Sequence, residues 1–153
     1  MANIRFKAFY CGHCSDLSDN CGRFVSIFLS LASAGSVAAW AIWKDTPGVW
    51  ATIIGLAQLL HVAKPYLPFI GAEKELQSMS FEFDKLYLFY EQLWFDLEND
   101  KVSASKAETL FYQYREKEIE IERNSKVRCP KISFLIAKAQ NETESALARN
   151  FAN

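Results

Sequence analysis

The sequence predicts an all-α protein, with an N-terminal two-helix transmembrane hairpin followed by a small cytosolic helical bundle. Two uncharged apolar runs predict the hairpin: the first extends from Phe24 to Trp43, and the second from Val49 to Ala63 with an apolar continuation to Ile70. Neither run alternates between apolar and polar residues as a half-buried strand would. Because only helices and closed barrels satisfy their backbone hydrogen bonds in lipid, both runs are predicted to be helices. A heptad-like pattern after Gly71 predicts a long helix in the bundle.

The two apolar runs have the length that a bilayer requires. About 20 residues at about 1.5 Å rise each span the roughly 30 Å hydrocarbon core. The second run reaches this length when it is counted to Ile70, with Lys64 extending its charge toward the surface. Two alternatives stay open. One is a buried hairpin in a soluble bundle; the other is a signal peptide, for which Ala32-Ser33-Ala34 resembles a cleavage site, although the apolar stretch continues past it.

Charge divides the chain into a juxtamembrane segment (1–21), the hairpin (22–70) and a cytosolic domain (71–153). Residues 1–70 hold five Lys or Arg and three Asp, whereas residues 71–153 hold twelve basic and fifteen acidic residues. Basic residues flank the outer ends of the two runs, which predicts that both termini are cytosolic and that the protein lies in the inner (cytoplasmic) membrane. A domain of about 80 residues is marginally stable alone, which favours a homo-oligomer.

The cytosolic domain is predicted to hold three helices. The first carries an apolar seam with spacings of three and four, which implies a partner helix. The seam residues are Leu76, Met79, Phe83, Leu86, Tyr90, Leu93 and Leu97. Ser105 with Glu108 resembles a capping box that starts the second helix. Pro130 suits the first position of the third.

Polar residues interrupt both apolar runs. Ser26 and Ser30 belong to a stripe of small residues in the first run, and Gln58 and His61 lie in the second. Small residues favour close helix packing. A polar side chain in lipid instead turns toward a bundle interior or a water-filled path. Two helices cannot enclose a pore, so we expect these four residues to line one only if several hairpins associate.

Basic residues concentrate before the third predicted helix, in a stretch of nine residues without an acid. The free N–H groups and the dipole at a helix start attract anions. The sequence therefore predicts a site for a phosphate-bearing ligand; compensation of the upstream glutamates and contact with anionic lipid are the alternatives. The predicted ligand-binding residues are Arg115, Lys117, Arg123, Lys126, Arg128 and Lys131.

The cysteines do not predict catalysis. Cys11-Gly12-His13-Cys14 has the dithiol spacing of disulfide isomerases, but no βαβ pattern surrounds it. We interpret Cys11, Cys14 and Cys21 as unpaired or palmitoylatable juxtamembrane thiols. Zinc binding is an alternative that the position of His13 makes awkward, and redox catalysis is another. No catalytic residue, metal, cofactor or DNA partner is predicted.

The chain resembles a class of bacterial membrane proteins. The resemblance comprises two N-terminal spans joined by a Pro-containing turn, a Gly-x-x-x-Leu-Leu-x-x-x-x-Pro-x-x-Pro stretch from Gly55 to Pro68, and a Leu-Tyr-x-x-Tyr-x-x-Leu-Trp stretch from Leu86 to Trp94. These features, over most of residues 22–123, resemble the SLATT class of two-transmembrane effectors. They also resemble small two-span effectors of CBASS and type III CRISPR signalling.

This resemblance implies a non-enzymatic, homo-oligomeric effector of antiviral defence. Its helical domain would sense a cyclic oligonucleotide, and its spans would then oligomerise or rearrange to disrupt the membrane. The alternative is a holin-like or membrane-scaffold protein whose helical domain binds a protein partner. A membrane thiol oxidoreductase is a third possibility, which depends on Cys11 and Cys14.

Overall fold

The computed structural model describes residues 1–42, 47–64 and 69–151, and side-chain surroundings for residues 1–33, 48–49, 51–64 and 69–150. The described part consists of helices joined by short connections and contains no strand, so the all-α prediction is confirmed. The helices are α1 (Ala2–Ile42), α2 (Pro47–Ala63), α3 (Glu73–Glu98), α4 (Ala104–Asn124) and α5 (Ser133–Phe151). Residues 44–46 of the predicted connecting turn (44–47) and the proline-containing stretch 65–68 lie outside the described residues.

The first helix is much longer than the predicted first span. α1 is one helix of 41 residues, about 60 Å long at the usual rise. No proline occurs before Pro47 to interrupt it. The apolar run that starts at Phe24 is therefore the C-terminal part of a helix that begins at Ala2.

The chain forms two compact units, which differ from the predicted segments. The four-helix unit comprises Met1–Asp16 and Glu73–Asn153, and the hairpin unit comprises Leu17–Ala72. The division after Ala72 lies close to the predicted one at residue 71. Of the predicted juxtamembrane segment 1–21, residues 1–16 belong to the four-helix unit and residues 17–21 to the hairpin unit.

The core of the four-helix unit forms where α1 packs on α3. The buried cluster consists of Ile4, Ala8 and Cys11 from α1 and Phe83, Leu86, Tyr87 and Tyr90 from α3. Tyr114 and Ile121 of α4 and Leu147 of α5 are partly buried against it. The apolar seam of α3 thus finds its predicted partner helix within the same chain. A homo-oligomer stays a prediction, but this seam no longer supports it.

Two helix starts differ from the predicted ones. The N-cap of α4 is Ser103, without a side-chain cap hydrogen bond, and Ser105 lies inside the helix, where its carbonyl accepts a bond from Thr109 Oγ1 at 3.0 Å. α5 begins at Ser133, three residues after Pro130. The Tyr10 hydroxyl donates to the Pro130 carbonyl and accepts from the Ile132 N–H at 3.2 Å, which holds the chain out of helical conformation before Ser133.

The hairpin unit packs through small side chains. Its buried residues include Ser18, Val25, Ala57 and Ala72, and the Ser18 hydroxyl donates to the Phe69 carbonyl. Gly71, the last residue but one of the unit, has a φ of +91°, which is readily adopted only by glycine. Within the described residues, no helix combines the length and the hydropathy that crossing a membrane requires.

Candidate functional site

A groove between α1 and α2 brings together the polar residues of the hairpin unit. It has a volume of about 1300 Å³. Its polar lining residues are Ser26, Ser30, Ser33, Gln58, His61 and Lys64. All four predicted pore-lining residues thus lie along one groove, although the pair on α1 and the pair on α2 are more than 25 positions apart in sequence. One hairpin leaves this groove open on one side, and Gln58 and His61 are exposed.

Helical spacing explains why these side chains share one groove. Ser26, Ser30 and Ser33 lie on consecutive turns of α1, and Gln58 and His61 lie three residues apart on α2. Ser26 and Ser30 each donate to the carbonyl four residues earlier, at 2.8 and 2.9 Å. These local bonds satisfy the hydroxyl protons, which lowers the cost of placing serine in apolar surroundings.

The outer surface of the hairpin unit is apolar. Phe24 is 72% exposed and Leu59 is 67% exposed. Among the residues of this unit whose side chains the structure describes, the other large apolar ones that are exposed are Ile27, Leu31, Val49, Leu56 and Val62. The buried residues Ser18, Val25 and Ala57 are smaller. This is the reverse of the usual distribution, in which large apolar side chains are buried.

The structure divides the six predicted ligand-binding residues into two groups. Arg115 pairs with Glu118 at 3.0 Å, and the Lys117 ammonium lies over the rings of Phe89 and Tyr114, 5.5 and 5.9 Å from their centroids. These two cations are engaged by neighbours. The other four predicted ligand-binding residues are exposed and lie at the end of α4 and in the connection to α5. They are Arg123, Lys126, Arg128 and Lys131.

A carboxylate of the chain itself reaches this connection. Glu75 Oε1 accepts the Lys126 backbone N–H at 2.6 Å and lies 3.4 Å from the Ser125 hydroxyl. The backbone of the connection therefore already binds one anionic group, the Glu75 carboxylate. This is the kind of anion binding that the sequence predicts for a phosphate. An external anion would contact the exposed side chains or displace Glu75.

Three thiols meet in the four-helix unit, and sequence spacing did not reveal the third. Cys129 Sγ lies 3.6 Å from Cys11 Sγ, although the residues are 118 positions apart. Cys14 also hydrogen bonds to Cys129. Cys11 and Cys14 are buried, whereas Cys129 is partly exposed. Cys11 and Cys14 are unpaired, as one form of the interpretation expected, but both side chains are buried in the core and not exposed as palmitoylation would require.

The three thiols shift one another's pKa in opposite directions. Hydrogen bonding to Cys129, together with burial, raises the pKa of the Cys11 and Cys14 thiols well above its ordinary value. The bonds from Cys11 and Cys14 lower the pKa of Cys129 to about 4. Cys129 is therefore the thiolate of the cluster. Among the described residues, no three His, Cys, Asp or Glu side chains are placed to hold a metal ion.

The four-helix unit also contains charged pairs. Lys7 donates to Glu118 at 2.6 Å and to Glu122 at 2.5 Å, and Glu118 is only 2% exposed. Burial opposes the charge on Lys7, but these hydrogen bonds outweigh it and raise its pKa. His13, which the sequence placed between possible zinc ligands, instead lies 2.8 Å from Glu142.

No protein family, curated protein or solved structure is matched by this chain.

Proposed function

We propose that this protein is a membrane effector whose hairpin unit inserts into lipid and self-associates to open a polar path. The path is lined by Ser26, Ser30, Gln58 and His61, and the four-helix unit controls its opening. The protein acts without catalysis. Its resemblance to two-span effectors supports a role in antiviral defence.

The main support for this proposal is that the hairpin unit exposes its large apolar side chains and buries smaller ones. Fully burying one large apolar side chain is worth about 1.5–3 kcal/mol. Seven such side chains that are half to three-quarters exposed therefore forgo roughly 10 kcal/mol, which is comparable to the whole stability of a small domain. Residues 24–43 and 48–63 contain no Lys, Arg, Asp or Glu. Because these two segments contain no charged side chain, lipid can cover the surface without burying an unpaired charge.

Self-association follows from the shape of the polar groove. A single hairpin exposes Gln58 and His61 on one side, and polar groups facing lipid cost free energy. Several hairpins packed with their grooves inward turn these side chains toward each other and toward water. The same arrangement keeps Phe24 and Leu59 in contact with lipid.

Dye release from liposomes tests the path. The full chain reconstituted in liposomes should release a small trapped dye when activated. Gln58→Leu combined with His61→Leu should still insert, since the span becomes more apolar, but should lose the release. Thr52→Leu is the matched control on α2, because Thr52 does not line the groove. If the double variant releases as much dye as the unmodified protein, Gln58 and His61 do not line a path, and this part of the proposal is wrong.

The trigger that we propose is a phosphate-bearing ligand such as a cyclic oligonucleotide. Arg123, Lys126 and Arg128 are exposed on one short stretch of chain, and contacts between charged side chains and phosphate are strong and depend on salt. Replacing all three by Ala should weaken calorimetric binding of cyclic oligoadenylate about a hundredfold or more.

The matched control replaces three other exposed lysines of the four-helix unit, Lys101, Lys106 and Lys138, by Ala. It should bind as the unmodified protein does. Equal losses in both triple variants would indicate a general effect of charge and no defined site.

The second candidate function is a membrane scaffold whose four-helix unit binds a protein partner. An apolar groove of about 530 Å³ between α3 and α4 favours it, with lining residues that include Tyr90, Leu93, Leu97, Phe111 and Tyr112. The liposome experiment separates the two functions, because a scaffold should insert without releasing dye under any nucleotide condition.

A further inference from the structure

The thiol cluster joins two segments that are far apart in sequence. Cys11 lies on the first turns of α1, and Cys129 lies in the connection between α4 and α5. Their sulfur atoms are 3.6 Å apart. A disulfide requires about 2.05 Å, so a shift of about 1.5 Å closes the bond. Cys129 lies in the non-helical connection that precedes α5.

The three thiols have different access to solvent. Cys14 is completely buried and Cys11 is 4% exposed, whereas Cys129 is partly exposed. A small oxidant in water therefore reaches Cys129 first. The hydrogen bond between Cys11 and Cys129 favours the anionic form of Cys129, which is the reactive form of a thiol.

We propose that Cys129 is an oxidation site that reacts with a hydroperoxide and then forms a disulfide with Cys11. This inference does not depend on the proposed membrane function. Neither a metal nor a cofactor is required, because the hydroperoxide is the oxidant.

The two steps balance as follows. The Cys129 thiolate attacks one peroxide oxygen; the O–O bond breaks, an S–O bond forms, and the leaving hydroxide or alkoxide takes a proton. Cys129 is then a sulfenic acid. The Cys11 sulfur attacks the Cys129 sulfur, the S–O bond breaks, and the hydroxyl group leaves with the Cys11 proton as water. Two thiols lose two electrons, and the hydroperoxide gains them.

The disulfide would restrain the connection that carries the exposed cations. Lys126 and Arg128 lie within three residues of Cys129. A bond to Cys11 closes a loop of over 100 residues, and closing a long loop stabilises the folded state by restricting the unfolded chain. Oxidation should therefore raise the unfolding temperature of the four-helix unit and leave the connection less able to rearrange.

Peptide mapping tests the site in the full-length protein held in detergent micelles. After treatment with hydrogen peroxide, non-reducing digestion should give a Cys11–Cys129 linked peptide that is absent from the reduced sample. Cys21→Ser is the matched control and should give the same linked peptide. Cys129→Ser should give none. A linked peptide that contains Cys21, or a Cys11–Cys14 disulfide as the main product, would overturn the proposal.

Trapping the intermediate separates the two steps. With Cys11→Ser and Cys14→Ser combined, the sulfenic acid on Cys129 should persist and react with dimedone. The unmodified protein should give little of this adduct, because Cys11 resolves the intermediate. Adducts on Cys129 that are equally abundant in both proteins would show that Cys11 does not act, and would overturn the second step.

A measurement on the unmodified protein avoids the risk that a cysteine variant misfolds. The rate at which iodoacetamide alkylates Cys129 should be nearly independent of pH between about pH 5 and pH 8, because the folded thiol is already ionised. In the urea-unfolded chain, the rate for the same residue should rise about tenfold per pH unit up to about pH 8.5. Parallel profiles in the two states would contradict a preformed thiolate.

Discussion

At the scale of single residues, one tyrosine hydroxyl connects the N-terminal helix to the segment before α5. Tyr10 donates to the carbonyl of Pro130 and accepts from the N–H of Ile132. Burial raises the pKa of Tyr10, so the phenol stays neutral and can do both. The same segment contains Cys129, so this hydroxyl also helps to position the thiol beside Cys11.

Tyr10→Phe should therefore destabilise the protein. The substitution leaves a partly buried carbonyl and N–H without their partner, at a cost of about 1–3 kcal/mol. Chemical denaturation followed by circular dichroism measures it. Tyr112→Phe is the matched control, because Tyr112 is 63% exposed and its loss of a hydroxyl should change stability by less than about 0.5 kcal/mol. Equal stability of Tyr10→Phe and the unmodified protein would show that water replaces the hydroxyl.

Single residues also show where sequence reasoning ended. It identified the exposed cations of the connection and the polar residues of the groove, because charge and polarity are visible in a linear sequence. It did not place Cys129 beside Cys11, because a contact between residues 118 positions apart depends on tertiary packing. Local spacing therefore showed the Cys11–Cys14 pair but not the third thiol that the fold places beside it.

At the scale of secondary-structure elements, periodicity predicted the helices of the four-helix unit well. Leu76, Phe83, Leu86 and Tyr90 of the predicted seam are all buried. The partner of the seam was missed because the inner face of α1 is built from small and polar residues. Its buried positions recur at spacings of four and three, in the sequence Ile4, Ala8, Cys11 and Ser15. This periodicity was available, but few of its members are strongly hydrophobic.

The packing of α3 predicts that two leucines of this helix contribute very differently to stability. Leu86 is 2% exposed and Leu88 is 58% exposed, two residues apart on α3. Leu86→Ala should lower the free energy of unfolding by about 2–5 kcal/mol, because it leaves a cavity against α1. Leu88→Ala is the matched control and should change it by less than about 0.5 kcal/mol. Urea titration measures both, and similar values for the two variants would contradict the packing of α3.

The contribution of α1 gives a prediction for a fragment. Residues 73–153 alone lack Ile4, Ala8 and Cys11, so Phe83 and Leu86 lose the helix that covers them. The fragment should retain helical circular dichroism but unfold without a cooperative transition. Joining residues 1–16 to it through a flexible linker should restore the transition. Cooperative unfolding of the fragment alone at the same midpoint would show that α1 is dispensable for this core.

At the scale of the whole molecule, the two units follow opposite rules of burial. The four-helix unit buries large side chains such as Phe83 and Tyr87, whereas the hairpin unit buries small ones and exposes Phe24, Leu31 and Leu59. The sequence predicted this contrast from charge alone, since the long uncharged runs occur only in residues 22–70. It did not predict that one helix, α1, would contribute to both units, because apolar periodicity does not show where a helix changes its neighbours.

Flotation with liposomes tests most directly whether lipid covers the hairpin unit. The full chain should rise with the vesicles through a density gradient and stay with them in high salt. Leu31→Asp combined with Leu59→Asp should leave the protein in the aqueous fraction, because each charge in the middle of a lipid-exposed helix costs about 2.5–3.5 kcal/mol. Leu88→Asp, on an exposed site of the four-helix unit, should float as the unmodified protein does. Recovery of the unmodified protein in the aqueous fraction, or flotation of the double variant, would contradict the account.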